Sequence, residues 1–138
     1  MSAGRILALD YGTKNIGLAS CDELGVAVRP LPSIPAANRR ELRRRLQAML
    51  AAMSIDSLVI GLPVNMDGSA GPAAERARRF ALQLREDLGL PVREVDERLS
   101  TVEATEIWKT MSGRQRRRYR TVDSLAAAFI LKRFLEES

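Results

Sequence analysis

The chain has 138 residues and a mass of 15.3 kDa, with 22 Lys+Arg against 17 Asp+Glu, a net charge of +5 and no histidine. Without histidine there is no Ser-His or Cys-His nucleophile pair, no imidazole base and no histidine-ligated zinc, so carboxylates are left to carry any catalysis. The length suits one domain over residues 1–138. No apolar run is long enough to span a membrane and no secretory hydrophobic segment opens the chain, so a soluble protein is expected. Cys21, the one cysteine, excludes an internal disulfide and fits a cytoplasmic location.

The basic residues are 19 arginines and three lysines. A guanidinium grips phosphate in bidentate fashion, so the bias fits a polyanionic partner; a genome rich in arginine codons explains it equally well.

Three strands are expected first: Arg5 to Asp10, Asn15 to Cys21 and Val26 to Ile34. The gaps between them are short and rich in Gly and Asp, which implies antiparallel hairpins. Pro30, Pro32 and Pro35 mark the third strand as an edge. A helix follows from about Asn38 to Met53, with Leu42, Leu46, Met49, Leu50 and Met53 on one face and Arg39, Arg40, Arg43 and Arg44 mostly off it, on a solvated surface. Ser57 to Leu62 reads as a buried strand, and Pro63 to Gly71 as a loop. Ala74, Ala77, Ala81, Leu84 and Leu88 define a second helix that Gly89 ends. Val92 to Val95 is a short strand. Ser100 with Glu103 has the spacing of a capping box opening a helix through Ile107, Trp108 and Met111, and Val122 to about Leu135 forms the last helix. The order βββαβαβαα predicts an α/β sheet domain.

Acids stand at the ends of these elements. Asp10 closes the first strand, Asp96 and Glu97 close the strand after Pro91, and Asp123 opens the last helix. Gly12 and Gly17 flank Lys14 after Asp10, as if to let a substrate backbone approach. Three carboxylates on separate elements suit a divalent-metal site facing phosphate, and oxygen-only ligands select Mg²⁺ or Mn²⁺. Each acid also has a plainer reading. Asp10 before a glycine turn can start a hairpin, and Asp123 in a first helical turn is favoured by the helix dipole. Gly12 to Gly17 is not a phosphate-binding P-loop, because Leu18-Ala19 stands where Lys-Ser/Thr is required.

Four segments in order resemble the motifs of the YqgF/RuvX family, Holliday junction resolvases and pre-16S ribosomal RNA nucleases of bacteria. They are Leu9-Asp10-Tyr11-Gly12-Thr13-Lys14-Asn15-Ile16-Gly17-Leu18-Ala19, Val59-Ile60-Gly61-Leu62-Pro63-Val64-Asn65-Met66-Asp67-Gly68-Ser69, Asp96-Glu97-Arg98-Leu99-Ser100-Thr101 with Glu103-Ala104, and Val122-Asp123-Ser124-Leu125-Ala126-Ala127 followed by Ile130-Leu131. The resemblance implies a ribonuclease H-like mixed five-stranded sheet flanked by helices, and makes Asp10, Glu97 and Asp123 the catalytic metal ligands. Asp96 is the alternative to Glu97, since neighbouring strand residues face opposite ways.

Gly113 to Arg120 carries five arginines in eight residues and has no periodic apolar face. It falls where the family has a variable basic loop. Lys14, Arg98, Arg114, Arg116, Arg117, Arg118 and Arg120 are the expected nucleic-acid contacts, with Tyr119 available to stack on a base. The implied partner is structured RNA, in ribosomal precursor particles, or branched DNA, acted on by a monomer or homodimer. Two other readings stay open: an actin-like nucleotide-binding lobe, from the Asp10-x-Gly12 pattern, and an idle RNA-binding module.

Overall fold

The computed structural model describes residues 4–12, 14–63, 67, 69–96 and 98–137, with backbone only for 98–101. Glu97 and the side chain of Arg98 therefore lie outside the described residues, as do Thr13 and residues 64–66 and 68 of the motif segments.

Five strands form one sheet. They are β1 (Ile6–Tyr11), β2 (Asn15–Cys21), β3 (Val28–Pro35), β4 (Ser57–Leu62) and β5 (Val92–Asp96), in the order β3-β2-β1-β4-β5. The first three pair antiparallel, while β4 joins β1 and β5 joins β4 in parallel. This is the expected mixed sheet, with the proline-bearing β3 at its edge. β3 begins at Val28 rather than Val26, because residues 22–25 make a wider turn in which the Asp22 carboxylate accepts from Val26 N and Ala27 N.

The helices are α1 (Arg39–Met53), α2 (Pro72–Leu88), α3 (Arg98–Thr110), α4 (Gly113–Tyr119) and α5 (Val122–Glu137). Asn38 caps α1 by accepting from Glu41 N, Pro72 sits in the first turn of α2, and Gly89 ends it at φ 66°. The α1 arginines sit on its outer surface: Arg44 and Arg45 hold the Glu41 carboxyl down to about 2, and Arg43 pairs with Asp87 at 2.9 Å.

Alternation along the strands divides the core. Leu7, Leu9, Leu18, Leu58, Ile60 and Val92 face α1 and α2, against Leu42, Leu46, Phe80 and Leu84. Ile6, Ala8, Cys21 and Val59 face α5, against Ile130 and Leu131. Ala127 and Ala128 pack on Ala19. With methyl groups alone between them, α5 lies close on the sheet, which decides where its first turn arrives.

Two expectations are corrected. Ser100 does not cap α3: the helix begins at Arg98, directly after β5, and Ser100 falls inside its first turn. The segment Gly113 to Arg120 is not a loop. Ser112 accepts from Gln115 N and Gln115 Oε1 accepts from Ser112 N, a capping box that nucleates α4 without an apolar stripe. Tyr119 then packs with Trp108, Met111 and Phe129 on the cluster of Ala104, Leu125 and Ala126.

Candidate active site

Asp10 lies at the end of β1 on the face toward α5, in register with Gly17 of β2 and Gly61 of β4. It is 7% exposed, one of three buried polar residues among those described. Asp123 sits in the first turn of α5, and burial, then the nearby Asp10 carboxylate, push its carboxyl above the usual carboxylate range. The structure thus brings two of the expected acids together. Among the described residues no group of three metal-capable side chains forms, and Glu97 is outside them.

Register decides the facing of Asp96. It pairs with Leu62, two residues beyond Glu94 opposite Ile60, and so shares the face of Leu9, Ile60 and Val92. Asp10 shares the other face, with Val95. Asp96 therefore stands across the sheet from Asp10.

Three hydroxyls that the sequence reading passed over set the position of Asp123. Thr121 accepts from Ser124 N at 3.0 Å, closing the first turn of α5, and its hydroxyl is 3.1 Å from that of Ser33. Ser124 is fully buried and donates to Leu31 O at 2.5 Å, while Leu18 N lies 3.5 Å from its oxygen. The β2–β3 register shifts between Ile16 and Leu18, and beside that irregularity Ser124 meets main-chain groups of the paired residues Leu18 and Leu31. A Thr-x-x-Ser spacing at a helix start was the available signal.

The glycines also serve the protein's own chain. A Cβ on Gly12 would stand 2.5 Å from Asn15 O, inside the β1–β2 turn, and one on Gly17 would run into the Asp123 main chain. Lys14 is exposed in that turn, where its carbonyl accepts from Ala36 N at 2.8 Å.

The expected nucleic-acid contacts divide. Arg114, Arg117, Arg118 and Arg120 are exposed. Arg116 turns inward: it donates to Trp108 O at 3.2 and 3.0 Å, and its guanidinium carbon lies 5.1 Å from the Trp108 ring centroid.

A sheet of order 3-2-1-4-5 with a C-terminal helix bringing an acid to the end of strand 1 is the ribonuclease H-like arrangement. Two solved structures share the fold at 12 to 14% identity: Thermus thermophilus RuvC in complex with a Holliday junction substrate, with a TM-score of 0.57 over 98% of this chain and 96% of that one, and the fowlpox virus Holliday junction resolvase, at 0.58 over 97% and 99%. The model of the RuvX family, described as Holliday junction resolvase, matches residues 4–137, and the chain belongs to that family. Curated relatives bearing the name "Putative pre-16S rRNA nuclease" include those of Opitutus terrae, 44% identical over 96% of this chain and 92% of the relative, and Moorella thermoacetica, 41% identical over 96% and 94%. That of Geobacillus kaustophilus is 40% identical over 96% and 97%.

Proposed function

We propose that the chain is a metal-dependent nuclease that hydrolyses phosphodiester bonds in structured RNA, in the maturation of pre-16S ribosomal RNA. The observation that carries this reading is the buried Asp10 beside Asp123, whose carboxyl is pushed above the usual carboxylate range first by burial and then by the Asp10 charge. The names of full-length relatives near 40% identity supply the substrate.

The donor set fits a hard divalent cation. It is made of carboxylate oxygens only, in a chain without histidine, and a cation would relieve the repulsion between the pair. Asp10, Asp123 and Glu97 would hold Mg²⁺ or Mn²⁺. Glu97 is preferred to Asp96 because the register of Asp96 puts it on the face opposite Asp10. When bound, the ions lower the pKa of a coordinated water and neutralise charge on the leaving oxygen.

The chain's own residues supply position. Asp10 is fixed by the central strand and buried there, and the half-buried Asp123 is fixed by the Thr121–Ser124 contacts. Lys14 and Arg98 flank the acids in sequence, and Arg114, Arg117, Arg118 and Arg120 supply cationic surface for the phosphate backbone. The working location is the cytoplasm, where ribosomal precursors are the partner. Among the described residues no helix is long and apolar enough to cross a membrane.

Purified protein incubated with a 16S precursor carrying its flanking sequence, with single-stranded RNA and with a synthetic four-way DNA junction tests the reading. Cleavage of the precursor that requires Mg²⁺ or Mn²⁺ and stops with chelator supports it. Preferential cutting of the DNA junction would instead favour the resolvase activity in the family's description.

A further inference from the structure

The link from α4 to α5 turns on Arg120. Its φ is 73° and ψ −69°, and Thr121 N donates to Tyr119 O across it at 2.9 Å. This is a γ-turn with positive φ, strained for any residue but glycine. An arginine in such a place invites a role for its side chain.

Arg118, Tyr119 and Arg120 line a cavity of about 220 Å³ together with Val28, Arg29 and Pro30 of the edge strand β3. No acid lines it. Arg29, Arg118 and Arg120 are exposed, and among the described residues none of the three is in an ion pair. Arg43, Arg44, Arg45, Arg78 and Arg85, by contrast, each hold a carboxylate. Arg118 lies 6.0 Å over the Tyr119 ring, whose other contacts are with the core cluster under α5. The basic groups come from two elements, and Arg120 precedes Asp123 by only three residues.

We propose that Arg29, Arg118 and Arg120 form a seat for a backbone phosphate of the nucleic-acid substrate, separate from the phosphate at the acids. This deepens the nuclease reading and rests on it. A strand crossing the first turn of α5 is then held at two points, one by the acids and one by the arginines. Recognition is by phosphate charge and fork geometry, so it is indifferent to base sequence.

Binding of a fluorescent RNA hairpin with single-stranded flanks, in Ca²⁺ and over a series of salt concentrations, tests the seat. Arg29→Gln with Arg118→Gln should weaken binding about tenfold and reduce the salt slope by about 2. Arg39→Gln with Arg40→Gln removes the same charge from the exposed start of α1 and should change affinity far less. Arg120→Gly should raise the melting temperature, by relieving the turn, while weakening binding about threefold. Equal losses in the two double variants, or full affinity in Arg120→Gly, would overturn the seat. RNA binding by wild type without metal-dependent cleavage would instead sink the nuclease reading, since the seat is judged on binding alone.

Discussion

Gly17 and Asp123 are in main-chain contact: a side chain on Gly17 would coincide with the Asp123 carbonyl and stand 2.8 Å from the Asp123 Cβ. Gly17 is also the register partner of Asp10. One glycine thus sets the distance between the end of β1 and the start of α5, and with it the spacing of the two acids.

Gly17→Ala should cost about 3 kcal/mol or more, because the atoms it meets are backbone and have no rotamer to yield. Urea denaturation measures the cost. Cleavage should fall even under conditions where the variant is fully folded, since α5 must lift and carry Asp123 with it. Wild-type stability in Gly17→Ala would show that the helix moves freely.

Asp10→Asn and Asp123→Asn should each lower cleavage by on the order of 10³ or more while leaving the fold intact. Asp96→Asn should keep most activity, since its register places it across the sheet. Normal turnover in Asp123→Asn, or a dead Asp96→Asn, would reverse the assignment.

The pH dependence of stability has a definite sign. Asp123 has a folded pKa raised above its unfolded value, so it favours the fold most below the unfolded pKa, and that contribution is lost as pH rises through the folded one. Metal-free protein should therefore lose stability across this interval, from about pH 4 upward. Asp123→Asn should flatten the loss and melt at or above wild type at neutral pH. Mg²⁺ should restore stability to wild type only, because it binds the ionised form. Denaturation at a series of pH values in chelator, repeated with Mg²⁺, checks both statements.

Ser124→Ala should destabilise by about 1–3 kcal/mol, leaving Leu31 O and Leu18 N without the hydroxyl that joins them. Ser124→Thr adds a methyl to a fully buried site and is expected not to rescue it.

Arg116 and Arg117 are neighbours with different tasks. Arg116→Ala should lower stability by about 1–2 kcal/mol, through loss of the bonds to Trp108 O and the stacking on its ring. Arg117→Ala should leave melting unchanged and lower nucleic-acid affinity. Thermal melts of the two variants separate these effects.

Local signals in the sequence were enough for the succession of the five strands along the chain, the edge position of β3, the faces of α1 and α2 and the stop at Gly89, because hydrophobic period, proline and glycine act within a few residues. They also picked out the acids at element ends. What they did not reveal depends on contacts between distant segments. The helix α4 owes its form to a Ser112–Gln115 cap and to packing of Tyr119 on α3 and α5, so an arginine-rich stretch with no apolar period read as a loop. Arg116 looked like its neighbours until Trp108 was seen beside it. Gly12 and Gly17 suggested room for a substrate, whereas their space is occupied by Asn15 and Asp123 of the same chain. The facing of Asp96 turned on register with β4, which alternation along one strand leaves undetermined until a partner strand supplies the reference.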